Sequence, residues 1–174
     1  MAELDKLTGF MTQKYFLERL EHEVLRVKRY KNSLSIIIAE VNYDFFEKNY
    51  DVKRHLSYAV LKQVGAIFRG VRGVDLITRY EGDAVVILLP ETNESGAKLV
   101  AERLRRNVES QLLKGDEKMP SFRVAISVGV AAFSKHARTA HDLVVAAQKG
   151  LQIALAKGGN RIESCPVVLE EASP

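Results

Sequence analysis

Residues 72–90, RGVDLITRYEGDAVVILLP, contain two short β-rich runs joined by a tight turn. The runs cover residues 76–80 and 84–89, and the turn, Glu81-Gly82-Asp83, has glycine at its centre. This pattern predicts a β-hairpin. An acid beside a glycine at a hairpin tip suits phosphate or metal chemistry, because the missing side chain lets a ligand approach the backbone. Most turns of this kind are only turns, so both interpretations stay open.

The segments around this hairpin predict helices that alternate with strands. Residues 34–41, LSIIIAEV, form an unbroken apolar run that predicts a central strand covered on both faces. Apolar residues at helical spacing predict four helices, and β-rich runs predict two more strands, the first with Gly129 at a bulge or bend. The predicted helices cover residues 12–30, 52–68, 93–108 and 140–157, and the further strands cover residues 122–133 and 161–162.

The resulting order, αβαββαβαβ, indicates an α+β fold with a ferredoxin-like core. Its sheet is expected to be mixed but mainly antiparallel, with helices packed over it. If the central strand lies beside the hairpin, Glu40 and Asp83 fall at the same edge of the sheet. Two carboxylates so placed suit Mg²⁺, although solvated turn acids explain them equally well.

The composition is that of a soluble globular domain. The chain has 174 residues, 47% of them hydrophobic and 28% charged, with a net charge of +4. Cys165 is the single cysteine, and the apolar runs are too short to span a membrane, so we expect a cytoplasmic protein. The basic residues are interspersed with acids, a pattern that favours an ordinary solvated surface, so we expect no nucleic-acid partner. We expect one domain over residues 1–163 and a loosely held tail over residues 164–174.

Six short motifs occur in an order that resembles one protein family. They are DKLTGF (5–10), YFL (15–17), AEVN (39–42), RYEGDAV (79–85), AISVGV (125–130) and GGNRI (158–162). The GGDEF domain of bacterial diguanylate cyclases has DxLTGL, YFL, LDID, RYGGDEF, VSIGV and GRNRV in the same order. The chain is therefore identified as similar to a GGDEF domain from about residue 5 to residue 162.

This resemblance implies a nucleotide-cyclase-like palm, which in active members joins two GTP molecules into cyclic di-GMP with Mg²⁺. The family's two metal-ligand positions fall on Glu40 and Asp83. The signature turn reads Glu81, Gly82, Asp83, Ala84, Val85, so the family's glutamate is replaced by Ala84 and its first glycine by Glu81. A glutamate where the backbone must approach a triphosphate adds bulk and repulsion between like charges. No catalytic residue is expected in this degenerate signature.

Other family positions also differ. Asn42 replaces the family's second aspartate, Asn49 falls on a guanine-contacting asparagine, and Tyr58 falls where an acidic guanine contact is expected. Leu155 and Gly159 occupy the positions of the family's phosphate-binding lysine and arginine. Loss of these cations should weaken substrate binding and transition-state stabilisation by on the order of several kcal/mol. No cofactor is therefore required, and Mg²⁺ is expected only with residual GTP binding.

The family's inhibitory RxxD site is retained, with Arg72 and Asp75 at the usual spacing before the signature turn and Arg103 where a further arginine is drawn in. An arginine fork can pair with a guanine edge or a phosphate, and an aspartate can accept bonds from guanine N–H groups. The resemblance thus implies an inactive cyclic di-GMP receptor. A simple surface ion pair between Arg72 and Asp75 is the alternative interpretation of these residues.

Three functions are compatible with the sequence. The first is a receptor for cyclic di-GMP that passes a signal to an attached or partner domain. The second is a weak residual diguanylate cyclase that uses Glu40 and Asp83 with a divalent metal. The third is a protein-interaction domain that binds no nucleotide, for example as a homodimer.

Overall fold

The computed structural model describes residues 3–43 and 52–167 of the chain, with the backbone alone for residues 52–56. Helices and strands alternate in the order αβαββαβαβ, which confirms the predicted fold class. The elements are α1 Gln13–Tyr30, β1 Leu34–Asn42, α2 Val52–Phe68, β2 Leu76–Arg79, β3 Val85–Pro90, α3 Glu94–Ser110, β4 Ala125–Ala132, α4 Ala140–Ala156 and β5 Ile162–Ser164.

The strands form one five-stranded sheet in the order β2-β3-β1-β4-β5. All neighbours pair antiparallel except β4 and β5, which are parallel. β1 is central, as its apolar run predicted, and Ile37 lies opposite Ile87 of β3 on one side and Val130 of β4 on the other. The hairpin of β2 and β3 is also confirmed.

Alternate residues of β1 face two separate cores, because side chains of a strand point to opposite faces in turn. Ile37 and Ala39 pack in the core beneath α2 and α3. Ile36 and Ile38 pack in the core beneath α1 and α4. Each face of the sheet is thus covered by one pair of helices, which is why β1 carries no polar alternation.

Gly129 marks a close contact between β4 and α4 and not the predicted bulge or bend. The register from Ser35↔Ala132 to Asn42↔Ala125 is uninterrupted, and Gly129 pairs with Ile38 within it. A Cβ at residue 129 would lie 2.0 Å from the carbonyl oxygen of Ala147 and 2.4 Å from the amide nitrogen of Leu151. Glycine is therefore needed because the α4 backbone rests directly on the strand.

Some predicted boundaries differ from the structure. The strand predicted from residue 122 begins at Ala125, and Phe122 instead exchanges backbone hydrogen bonds with Leu113. β5 covers Ile162–Ser164 where the sequence predicted a strand over residues 161–162, and the Ser164 hydroxyl donates to Glu94 Oε1 at 3.2 Å. Across the described residues, none of the helices has the length and apolar character to cross a membrane.

Replacing Gly129 with alanine should destabilise the fold severely. The new methyl group would overlap backbone atoms of α4, which cannot move as a flexible side chain can, so we expect the free energy of unfolding to fall by about 3 kcal/mol. Urea denaturation measures this change. Gly73→Ala is the matched control, because a Cβ at Gly73 meets nothing within 4 Å. Equal stability of the two variants would contradict the close contact.

Candidate functional site

The turn of the hairpin and the end of β1 lie at the same edge of the sheet. The last registered pair between β1 and β3 is Ala39↔Val85, so Glu40, the next residue of β1, lies at the end of this pairing, where Asp83 precedes β3. The turn is closed by the Ala84 amide, which donates to the carbonyl of Glu81 at 3.1 Å, and Gly82 has a φ of +61°. We call this end of the sheet, with Glu40, Asn42 and the turn, the carboxylate edge.

Tyr43 interacts with both acids of the carboxylate edge, by a hydrogen bond with Asp83 and electrostatically with Glu40. Its hydroxyl lies 3.4 Å from Asp83 Oδ2 and donates to it. The pKa of the Tyr43 phenol is raised, first by burial and then by the negative charges of Asp83 and Glu40. Both carboxylates therefore act on the same phenol. Sequence reasoning missed Tyr43, although it directly follows the AEVN motif.

The carboxylate edge offers a divalent cation two acidic groups. Within residues 3–43 and 52–167, no group of three or more His, Cys, Asp and Glu side chains is placed to hold a metal ion. Two carboxylates are compatible with Mg²⁺, which usually keeps several waters and takes its other oxygens from substrate phosphates. The donor chemistry of Glu40 and Asp83 therefore fits Mg²⁺ only when a phosphate-bearing ligand is present.

Asn42 is occupied by a hydrogen-bond network behind the carboxylate edge. Its Oδ1 accepts from the Ser127 hydroxyl at 2.7 Å, and that hydroxyl accepts from the backbone N–H of Asn160 at 3.2 Å. The backbone of Gly159 packs against this pair, since a Cβ there would lie 2.5 Å from Asn42 Nδ2. Gly159 also has a φ of +72°, a conformation that favours glycine. An arginine at residue 159 would therefore be strained in this backbone and would have to displace the Asn42 carboxamide.

The loop that carries Gly159 is tied to α3 through Asn160. Arg105 Nη1 donates to Asn160 Oδ1 at 2.7 Å, and Asn160 Nδ2 donates to Glu109 Oε1 at 2.7 Å. Arg105 also pairs with Glu102 at 2.9 Å, and its hydrogen bonds are the main cause that lowers the pKa of Glu102 to about 2. The Arg105 guanidinium is thus engaged by Asn160 and Glu102, and it fixes the loop to α3.

Leu155 and Gly159, the residues at the positions where the resemblance implies phosphate-binding cations, supply no positive charge at the carboxylate edge. Leu155 packs against the core of α1 and α4, and Gly159 lies against Asn42. The nearby Lys157 pairs with Glu163 at 2.9 Å. Asn49 lies outside the described residues, and Tyr58 is an exposed residue of α2.

Arg72 and Asp75 lie at the opposite end of the sheet, at the joint between α2 and β2. Arg72 Nη2 lies 2.8 Å from Asp75 Oδ1, and Arg72 Nε donates to Asp75 Oδ2 at 3.3 Å. The Arg72 amide also donates to Asp75 Oδ2, at 3.0 Å. The arginine side chain is 51% exposed, whereas the aspartate side chain beneath it is 1% exposed.

Arg72 also bonds to the turn after β3, and α3 reaches the same place. Arg72 Nη2 donates to the carbonyl of Pro90 at 3.2 Å and to Thr92 Oγ1 at 2.7 Å. The exposed Arg103 of α3 donates through Nη2 to the carbonyl of Gly70 at 3.4 Å, two residues before Arg72. The structure therefore joins Arg72 and Asp75 directly and places Arg103 against the loop that carries them. We call Arg72, Asp75 and Arg103 the arginine corner.

Comparison with known proteins gives one consistent result. The family described as diguanylate cyclase, GGDEF domain, matches residues 2–161. Diguanylate cyclase A of Treponema denticola is 30% identical over 93% of this chain and 44% of its own length. The response regulator PleD of Caulobacter vibrioides is 29% identical over 93% of this chain and 36% of its own length. The chain thus spans less than half of these curated relatives.

Solved structures agree with the sequence relatives. Diguanylate cyclase SiaD of Pseudomonas aeruginosa, in complex with its activator SiaC, has a TM-score of 0.78 and 30% identity over 90% of this chain and 59% of that chain. The GGDEF domain of DgcB from Caulobacter crescentus, in complex with c-di-GMP, has a TM-score of 0.81 and 18% identity, with 92% and 91% of the two chains covered. At 18% identity the similarity concerns the fold.

A double-mutant cycle on Gly159 and Asn42 tests the packing behind the carboxylate edge. Gly159→Ala should lower the free energy of unfolding by about 1–3 kcal/mol, through its left-handed backbone and its overlap with the Asn42 carboxamide. In an Asn42→Ala background the overlap is gone, so the same change should cost about 1 kcal/mol less. Urea denaturation of the four proteins gives the coupling. An equal cost in both backgrounds would show that Gly159 does not press on Asn42.

Proposed function

Because this chain belongs to the GGDEF domain family of diguanylate cyclases, we propose that it is a catalytically inactive regulatory module that binds cyclic di-GMP at the arginine corner. The observation that carries the proposal is the half-exposed guanidinium of Arg72, fixed in orientation by the buried Asp75 carboxylate. The DgcB GGDEF domain, solved with c-di-GMP, supports the choice of ligand.

The contacts of Arg72 leave part of its fork available to a ligand. The Asp75 carboxylate accepts hydrogen bonds from Nε and Nη2, and Nη2 also donates to Thr92 Oγ1 in the turn after β3. Nη1 donates to no residue in the part of the chain that the structure describes. A guanidinium held in this way can offer its outer edge to guanine O6 and N7 or to a phosphate oxygen without losing its support.

Arg103 would supply the second positive charge. Its only hydrogen bond within the described residues, to the carbonyl of Gly70, is long at 3.4 Å and exposed, so a phosphate can replace it at small cost. Cyclic di-GMP carries two phosphates and two guanines. Two arginines at one corner therefore suit its charge and its hydrogen-bonding edges.

Asp75 is proposed to support ligand binding mainly by holding the Arg72 side chain in place. Its carboxylate already accepts three bonds from Arg72, and its side chain is almost fully covered. A direct bond from guanine to Asp75 requires the Arg72 side chain to rotate away. In the conformation described, Asp75 sets the plane of the guanidinium, and its hydrogen bond is the main cause that raises the pKa of Arg72.

The carboxylate edge supports the proposed lack of turnover. Glu81 places a negative side chain in the signature turn, and Ala84 has no carboxylate where the family has one. Leu155 and Gly159 bring no cation to the triphosphate. The side chain of an arginine introduced at residue 159 would overlap the Asn42 carboxamide. Catalysis of phosphoryl transfer depends on such charges, so we expect GTP to be a poor substrate.

Calorimetric titration with cyclic di-GMP tests the receptor proposal. We expect saturable binding by the wild-type chain and loss of at least tenfold in affinity for Arg72→Ala, because the main fork is removed. Arg72→Lys should also bind poorly, since an ammonium cannot make the bidentate contact. The control is Arg138→Ala, an exposed arginine in the loop before α4. Absence of binding by wild type, or equal affinity of wild type and Arg72→Ala, would refute the proposal.

A second candidate, weak residual cyclase activity, is favoured by one observation. Glu40 and Asp83 both keep a carboxylate at the carboxylate edge, where both act on Tyr43. A divalent cation bound there would neutralise phosphate charge. Glu40 and Asp83 would hold it, and Tyr43 would keep Asp83 in place through its hydroxyl.

A prolonged assay for cyclic di-GMP formation from GTP with Mg²⁺ or Mn²⁺ separates the two candidates. If the residual activity exists, Asp83→Ala should abolish the chromatographic product peak, whereas Glu117→Ala, an exposed loop acid, should leave it unchanged. We expect no product above background from any of the three proteins. Product that disappears only in Asp83→Ala would replace the inactive assignment by the enzymatic one. Flat results in both assays, with a dimer by light scattering, would favour a protein-interaction domain.

A further inference from the structure

Glu91 occupies the turn that Arg72 binds. It lies between Pro90 and Thr92, and both neighbours accept hydrogen bonds from Arg72 Nη2, at 3.2 and 2.7 Å. Its side chain is 67% exposed. Its φ is +53°, in the left-handed region where glycine and asparagine are favoured. The backbone of this turn therefore gives no reason for a glutamate.

The charge of Glu91 acts on arginines from two sides. Arg26 Nη2 of α1 lies 3.9 Å from Glu91 Oε1. Glu91 also contributes to the raised pKa of Arg72, after the larger effect of the Asp75 hydrogen bond. Arg26 is already held at 2.9 Å by the buried Glu23. The Glu91 carboxylate thus adds negative charge beside two arginines, Arg26 and Arg72, that already have acidic partners.

We propose that Glu91 is a built-in counter-charge that competes with the anionic ligand for Arg72 and so sets the affinity of the arginine corner. This inference rests on the proposed binding of cyclic di-GMP there. Pro90 and Thr92 both accept hydrogen bonds from Arg72, and Glu91 lies between them. A phosphate bound to Arg72 would therefore face the negative carboxylate of Glu91. The ligand must therefore displace or tolerate that charge when it binds.

The size of this competition follows from exposure and salt. Both groups lie at the surface, where water weakens the repulsion between like charges, and mobile ions screen it over about 10 Å at 0.1 M salt. We therefore expect a moderate effect that shrinks as salt is added. A residue that served only to shape the turn would show no such salt dependence.

The test is calorimetric titration with cyclic di-GMP at two ionic strengths. At low salt, Glu91→Gln should bind about three- to tenfold more tightly than wild type, and the gain should fall below about twofold at 0.5 M salt. Glu91→Asn, which suits the left-handed backbone better, should show the same sign. Glu18→Gln is the control, because it makes the same charge change on α1 beside Tyr80, at the far end of β2.

The outcomes separate the two proposals. If binding is lost in Arg72→Ala while Glu91→Gln binds like wild type or more weakly, the counter-charge is refuted and the receptor proposal stands. If Glu18→Gln gains as much as Glu91→Gln, the effect is one of net charge and the inference also fails. If neither wild type nor Glu91→Gln binds cyclic di-GMP, the receptor proposal fails and the inference fails with it.

Discussion

The pairing of β1 with β3 and β4 over the same residues fixes where both candidate sites lie. Each residue from Ser35 to Ala39 is paired on both sides. A slip of one residue would turn its whole apolar set to the opposite face, so the two cores hold the register. The pairing of β2 with β3 then places the carboxylate edge at one end of the hairpin and Arg72 and Asp75 at the other.

The two ends of the hairpin differ in how their charges are used. Near the carboxylate edge, Arg105 and Lys157 are both held by acids, and the loop with Gly159 is packed against Asn42. At the arginine corner, a half-exposed guanidinium rests on a covered carboxylate. Arg105 and Lys157 are thus engaged by acids, whereas the guanidinium of Arg72 is half exposed to solvent. The proposed binding of an anion at the corner relies on this exposed guanidinium.

Local pattern was enough to predict the helices, the central strand and the hairpin, because each depends on residues close in sequence. Motif order was enough to bring Arg72, Asp75 and Arg103 under consideration together. Contacts between distant segments were out of reach: the Asn42–Ser127 bond spans 85 residues, and the reason for Gly129 is the backbone of α4. The burial of the Asp75 side chain beneath Arg72 was also not predicted, because the three-residue spacing of this pair does not show which side chain covers the other.

The Arg72–Asp75 pair also has a purely structural task, since it joins the end of α2, the start of β2 and the turn after β3. The loop from Glu81 to Ala84 is held mainly by its own backbone bonds. Under selection for folding alone, mutational drift would alter that loop early and the pair late. A lineage that stopped making a nucleotide product could in this way keep a place to bind one, as a by-product of remaining folded.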